Sequence, residues 1–392
     1  MTTSVIIQGG ILRQLKDVRR AISMILQSNA PNLVKIAETI PSSMISHLGG
    51  TLLFWFKHLK MDRVTKDLFT FVKTLEAFSF WEGYIESGGN LPPPKDEALV
   101  PVSTTIETVS NPDVRCIIPI GYLNKTILTI LKRTLSQILS CKRIKETVLV
   151  FDGIQNSLDM EDERLDTIEI QSRSGPAYCR NAGIQHIMSR NPDVVFFIDA
   201  DVLLKHEQPD QLIADFLQSK SHIGLPLIES YGKGWMNRYH DVNGSLNGRY
   251  LVATQLLYAT SCCTLISSEV MKSGFSFAVD FTDAAGEDID FSLRCLKAGY
   301  RISGLDSTKI LHWYGYSGVP ETDIQILRNR FHRYGAGERV LLTKHPDYYS
   351  FLGKSTIRAT SKNLPIPNND WYQFIEGADS VHTLLKLIEE EN

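Results

Sequence analysis

Apolar positions along the chain fall into two textures. Over residues 10–87 they recur at helical spacing. Leu12, Leu15, Val18, Ile22 and Ile25 share one face, with Arg13, Lys16, Arg19 and Arg20 largely off it. A second helix is predicted after "SHLGG", carrying Phe56, Leu59, Val64, Leu68, Phe71, Val72 and Leu75. Such a face is first of all a packing signal, so residues 1–90 read as a helical module packing on itself or on the next domain. The basic cluster at 13–20 leaves a membrane-surface or dimer-forming helix as the sharper alternative. "SGGNLPPPKDEALVP" (Ser87 to Pro101) then breaks the period, and a stiff linker is predicted over 91–110.

Beyond the linker, continuous apolar runs alternate with helical patterns. "VRCIIPI" (Val114 to Ile120), "TVLVFDG" (Thr147 to Gly153) and "VVFFI" (Val194 to Ile198) read as strands, with "DTIEIQS" as a strand nearer an edge. Helices are predicted over 124–140 and from "SGPAYCRNAGIQHIMSR", with Ser174 as N-cap and Pro176 in the first turn. Strands without polar alternation are buried on both faces, which predicts an α/β fold: a mostly parallel sheet flanked by helices over 111–345. "YGKGWMNRYHDVNGSLNGRY" (Tyr231 to Tyr250) shows no clean period and is predicted as a long loop near the site. The tail, 346–392, is partly helical and carries no chemistry, and no internal repeat is evident.

Composition narrows this picture only modestly. The 392 residues are 43% hydrophobic and 22% charged, with net charge -3 and pI about 6.4. No global basic field would attract nucleic acid or an anionic membrane. Cys116, Cys141, Cys179, Cys262, Cys263 and Cys295 form no CxxC pair, which predicts buried, reduced thiols. The amino terminus lacks a basic start followed by a long apolar core. The best membrane candidate, Leu52 to Phe56, is far short of the roughly 20 residues a span needs. A soluble, cytoplasmic protein is expected.

Two of the strands end on acids: Asp152, and the pair Asp199 and Asp201 around Ala200. In open α/β sheets, ligands collect outside the carboxyl ends of strands. On an extended chain residues i and i+2 point the same way, so both aspartates could face one divalent cation held to a diphosphate. A turn whose aspartates cap the helix near Pro209 is the plainer alternative.

The pair has company. "CIIPI", "VFDG", "SGPAYCRNAGIQ", "FFIDADVLL", "GEDIDFSLRCLKAGYRI" and "ILHWYG" follow one another in an order and spacing that resembles the family 2 glycosyltransferases, over about 112–340. The resemblance implies a GT-A, Rossmann-like fold and a metal-dependent inverting transfer of one sugar from a nucleotide-diphosphate donor to a hydroxyl. It implies Mn²⁺ or Mg²⁺ held by Asp201, His312 and Asp199, and Asp288 as the base. It places Asp152, Pro119, Ile120, Arg180, Asp199 and Ala200 around the nucleotide, with a UDP-sugar favoured over a GDP-sugar. Glu287 is an acceptor-positioning or structural carboxylate, and Trp313 a further acceptor-side candidate. On the residues alone, His312 could be packed beside its aromatic neighbours, Arg180 could be a solvated helix residue, and Glu287, Asp288 and Asp290 could merely decorate a helix start. Trp235 and Tyr239 could stack on a sugar or wedge their loop onto the domain. Arg328, Arg330, Arg333 and Arg339 could close over the diphosphate or form a solvated face.

Departures from the family pattern matter too. The second strand ends "FDGIQNS" rather than in paired aspartates with Gly and Ser, and no Gln-x-x-Arg-Trp motif or membrane helix accompanies it. A single-addition enzyme follows, acting on a glycan, peptide or small-molecule acceptor, with a homodimer left open. A retaining transferase, or a catalytically dead scaffold, remains the alternative.

Overall fold

The computed structural model describes residues 61–88, 111–281, 283 and 285–377. The predicted helix at 12–25, the Leu52 to Phe56 run, the proline-rich linker and the acidic tail end lie outside them. Helix α1 (Arg63–Glu86) comes first. The alternating region then supplies β1 (Val114–Ile120), α2 (Lys125–Ser140), β2 (Ile144–Asp152), β3 (Leu165–Ile170), α3 (Pro176–Met188) and β4 (Val194–Ile198). The sheet continues through β5 (Val202–Leu203), α4 (Gln208–Ser219), β6 (Ile223–Ser230), α5 (Trp235–Asn243), β7 (Arg249–Val252), β8 (Gln255–Leu256) and β9 (Cys263–Ser267). Last come α6 (Ser268–Lys272), α7 (Glu287–Lys297), β10 (Ile302–His312), α8 (Pro320–Lys344), α9 (Tyr348–Lys354), β11 (Thr356–Ile357) and α10 (Asn369–Gly377).

Among the described residues one sheet holds all the strands, in the order β11-β7-β8-β10-β6-β9-β4-β1-β2-β3, with β5 paired to β10 off this path. β1 is parallel to β2 and β4, β2 to β3, and β6 to β10, while β9 runs antiparallel between β4 and β6. The mostly parallel α/β architecture expected from the apolar runs is therefore present, with β3 at an edge. Strands β2 and β4 lie on opposite sides of β1, so the chain switches direction across the sheet between β1 and β4. Pairing of β1 with β4 stops at Ile117↔Phe197, whereas pairing with β2 continues to Ile120↔Phe151. Pro119, which offers no N–H, thus sits where the β4 side of β1 is already free. The strands part there and open a crevice at a topological switch point.

Helix α2 starts as expected: the Asn124 side chain accepts from Ile127 N at 2.8 Å and caps it. At α3 the expectation needs correction. Gly175, with φ 87°, is the N-cap, Pro176 opens the first turn, and Ser174 lies one residue outside. Residues 231–250 also differ from the loop expected, because they contain α5 and the short β7. Their apolar residues bury themselves irregularly against several partners, so no clean period shows in the sequence.

Two cores result. The larger, around the sheet, includes Ile117, Ile118, Val148, Val150, Phe196 and Phe197, all fully buried. The second collects Leu68, Phe69, Val72 and Leu75 of α1 with Trp235 and Tyr239 of α5, Leu327 of α8 and Trp371 of α10. Helix α1 crosses α8 at glycines: a Cβ on Gly335 would stand 1.6 Å from Phe80 O, and one on Gly83 1.9 Å from His332 O. Only residues without a side chain let the two backbones approach so closely. All six cysteines are buried and free. Among the described residues no helix is long and apolar enough to cross a membrane.

Candidate active site

The carboxyl ends of β1, β2, β4, β6 and β10 face one edge of the sheet, and the acids gather there. After β4 the chain turns: Asp199 N donates to Cys262 O at 2.7 Å, and Val202 N to Asp199 O at 3.1 Å. The segment then pairs with β10, Val202 opposite His312 and Leu203 opposite Leu311. Trp313 N donates to Asp201 O at 3.0 Å. Residues 199–201 are therefore a turn, not the extended chain expected, and the two carboxylates find different partners. The aspartates cap no helix either, since Glu207 is the N-cap of α4.

Asp199 Oδ1 accepts from an Arg180 guanidinium nitrogen at 2.9 Å, and the other terminal nitrogen donates to Glu287 Oε1 at 2.9 Å. Arg180 is 2% exposed, so it is no solvated helix residue but a buried clamp between two carboxylates 88 residues apart in sequence (199 and 287). Its planar fork suits this double role. Burial raises the Asp199 carboxyl against the pull of Arg180. Burial and the neighbouring Asp288 push Glu287 up to about 7.

Asp201 lies 3.3 Å from His312 Nε2. Burial works against ionisation of Asp201, but the imidazole outweighs it and holds the carboxyl below its ordinary value. Asp201 Oδ1 and His312 Nδ1 are buried without a hydrogen-bond partner. Buried polar atoms are rarely left unpaired. A carboxylate oxygen and an imidazole side by side, one with an orphaned lone pair, fit a divalent cation that accepts mixed oxygen and nitrogen donors. The Asp199 side chain, turned to Arg180, is 28% exposed and Asp201 31%, which leaves the opening between them accessible. The three-ligand group that the described residues form, Glu146, Asp166 and His186, lies elsewhere, at the amino-terminal end of β2 and β3. Arg115 and Arg190 already neutralise Glu146 there, so it reads as a charge cluster.

Asp288 opens α7 behind Gly286, whose φ of 101° takes a backbone region that side chains disfavour. Ser261 N donates to Asp288 Oδ2 at 3.3 Å, and burial raises its carboxyl. The acids of this first turn do not merely decorate a helix start. Glu287 pairs with Arg180, Asp288 faces Ser261, and the fully buried Asp290 accepts from Arg294 and lies 2.9 Å from His345 Nε2. Gly337 of α8 presses on this loop, where a Cβ would stand 1.8 Å from Ala285 O.

Other expected residues divide by position. Asp152 sits at the site edge with its oxygens accepting from Ser174 N (2.6 Å) and Gly175 N (3.0 Å), so it fastens the turn into α3. Pro119 is half-buried, Ile120 fully buried and Ala200 buried. Trp313 is half-buried against the main core. Trp235 and Tyr239 are buried in the second core, stacked at 5.7 Å, so wedging rather than an open sugar platform is what the structure shows for them. Arg330 is half-buried over Tyr314 and Tyr316 instead of lying on a solvated face. Sequence reasoning missed Tyr122, 62% exposed and just past the end of β1, and Tyr178 and Tyr231, exposed at the same edge. Tyr122 and Tyr231 closely follow parallel strands, a signal that could have found them, whereas Tyr178 lies in the first turn of α3. A cleft of about 540 Å³ beside β3, lined by Leu149, Leu158, Met160 and Glu161 among others, contains none of these groups.

No protein-family model matches the chain, and no curated protein matches it. Comparison with solved structures finds several similar ones. GalNAc-T7 with UDP, GalNAc and Mn²⁺ is 13% identical with TM-score 0.41, over 53% of this chain and 44% of that one. S. aureus TarS (1–349) is 16% identical with TM-score 0.40, over 62% and 79%. The mannosyltransferase PcManGT from Pyrobaculum calidifontis, in complex with GDP-Man and Mn²⁺, is 13% identical with TM-score 0.40, over 83% and 91%. The chain thus spans less than half of the GalNAc-T7 structure. Likenesses this shallow concern the outline of the chain, and the chemistry rests on its own side chains.

Proposed function

We propose that this protein is a GT-A-type glycosyltransferase that moves one hexose from a nucleotide-diphosphate donor to an acceptor hydroxyl with inversion. The observation that carries it is the convergence of Asp201, His312, Asp199, Arg180, Glu287 and Asp288 at the crevice where β1 and β4 part. A switch point is where α/β sheets bind nucleotides, and here a candidate cation site stands with a half-buried carboxylate, Asp288.

Asp201 and His312 would hold a divalent cation, Mn²⁺ rather than Mg²⁺ because one donor is an imidazole. When bound, that ion would neutralise the charge on the departing diphosphate. The backbone at Pro119, Ile120 and Ala200 shapes the nucleotide crevice, and Asp152 fastens its wall. The Arg180 clamp ties Asp199 to Glu287, which fixes the 287–288 turn relative to the donor. Asp288 then takes the proton of the acceptor hydroxyl as that oxygen attacks the anomeric carbon and the nucleoside diphosphate leaves. A carboxylate with a raised pKa is the stronger base for this transfer. Residues 111–345 are proposed as the catalytic unit, in a cytoplasmic setting, and UDP-sugars remain preferred over GDP-sugars as donors.

The test is a thermal-shift panel of UDP, GDP, CDP and dTDP with and without Mn²⁺, on wild type and Asp201→Ala. Binding only to the folded state should raise Tm, by an amount equivalent to about 2.7 kcal/mol at 100 times Kd. A metal-dependent shift with one nucleotide, lost in Asp201→Ala, is expected. No shift from any nucleotide would sink the reading, and an axial-to-axial product anomer by NMR would replace inversion with retention.

A further inference from the structure

The ring of His312 has an unusual support. A histidine that binds metal ordinarily donates its other ring N–H to a carboxylate, carbonyl or water, which fixes the orientation of the ring. Here Nδ1 of His312 is buried and has no hydrogen-bond partner. The backbone is held by the sheet, with Tyr231 N donating to His312 O at 2.8 Å, but the ring itself must be oriented by something else.

Tyr314 packs against it nearly edge-on, at 4.6 Å and 61° between planes. The Tyr314 ring is itself clamped. His240, from α5, lies flat on it at 4.4 Å and 8°. Arg330, from α8, donates to Tyr314 O at 2.8 Å and places its guanidinium 5.2 Å from the ring centre. Both clamping residues are fixed in turn. His240, 1% exposed, has Nδ1 at 2.7 Å from Ser245 Oγ and Nε2 at 2.5 Å from Tyr316 OH. Arg330 donates to Tyr316 OH at 3.1 Å. Every polar atom of the His240 ring is satisfied away from the site, so its contribution toward His312 is steric and dispersive, not acid–base. Stacked rings favour a defined mutual geometry beyond the area they bury, which selects one ring orientation.

We infer that His240 and Arg330 are positioning residues for the cation site, holding Tyr314 and through it the His312 ring in the orientation coordination requires. This rests on the proposed function, in that His312 must be a metal ligand. It goes beyond it by making metal affinity depend on α5 and α8, which contribute no ligand themselves.

The experiment measures Mn²⁺ affinity by EPR, with UDP present and absent, for wild type, His240→Ala, His240→Phe and Arg330→Lys. His240→Ala should weaken Mn²⁺ binding by about 10-fold or more, the range seen when support for a ligand is lost. His240→Phe keeps the ring and loses its polar contacts, so it should restore most of that affinity. Arg330→Lys, which cannot make the forked contact, should weaken binding in the same direction and serves if His240→Ala does not fold. A merely structural role would lower Tm in these variants without moving Mn²⁺ affinity measured well below it. Unchanged affinity in both His240→Ala and Arg330→Lys overturns the inference while leaving the cation site intact. Wild type that binds no Mn²⁺ overturns the metal reading, and the inference with it.

Discussion

The two cores of this molecule are built on different rules. The sheet core is centred on apolar strands near one another in sequence, with Ile117, Val148, Val150, Phe196 and Phe197 fully buried within about 80 residues of one another, and its outer packing runs from Tyr84 to Phe351. The second core is drawn from Leu68 to Trp371, is rich in rings, and admits polar groups. Glu76 is buried in it beside Lys73 at 2.8 Å, and His240 is buried among tyrosines. The first core supplies a rigid edge from which Asp199 and Asp152 project. The second supplies the back wall of the site, because Tyr314, Tyr316 and Arg330 stand immediately behind His312. The edge built on the sheet is backed by a packing layer drawn from distant parts of the chain.

The comparison breaks most visibly under truncation of its two cores. Phe69→Ala and Phe196→Ala each remove a fully buried ring, and each should cost about 3–5 kcal/mol. If α1 belongs to the second core as fully as its contacts indicate, calorimetry of Phe69→Ala will show one cooperative transition moved downward. A separate early transition, with the sheet melting at its original temperature, would make α1 an independent module instead.

A smaller effect separates the two glycines of α8. Gly335→Ala drives a methyl into Phe80 O and should loosen α1, whereas Gly337→Ala drives one into Ala285 O and should displace the Asp288 turn. Overpacking of this type costs about 1–3 kcal/mol. In steady-state assays Gly337→Ala should lower kcat more than Gly335→Ala does at equal loss of stability. Equal kcat for both would show that α8 does not register the base.

The smallest effect lies in pH. The Glu287 carboxyl in the folded protein stays protonated up to about 7, whereas its ordinary value is 4.5. Between these values the native state binds more protons than the unfolded one, so its stabilising contribution is complete below 4.5 and is lost as pH rises through about 7. Urea melts of wild type at pH 5.5 and 8 should therefore differ more than those of Glu287→Gln. Parallel pH profiles would mean Arg180 holds Glu287 ionised throughout.

Much of the sheet was legible because its information is local. Buried parallel strands are continuous apolar runs, and β1, β2 and β4 announced themselves so. The acids at strand ends were equally plain, since a charge closing an apolar run stands out whatever surrounds it. The 231–250 segment was not legible as a helix. Its buried residues, Trp235, Met236, Tyr239 and Val242, face α1 and α10, and only those partners make the pattern intelligible.

What the sequence by itself determined is therefore the class of fold and the inventory of chemistry: buried strands, two aspartates closing one of them, an acid-rich segment at 287–290 and a histidine at 312. Only the tertiary structure decided how that inventory is shared out. It gave Arg180 one buried and one half-buried carboxylate, set Asp201 against His312 through the pairing of β5 with β10, and separated Asp199 from Asp201 by a turn. Strand periodicity acts over a few residues. Those pairings depend on crossovers that bring residues 180, 199, 201, 287 and 312 to one edge, and no local pattern encodes a partner a hundred residues away.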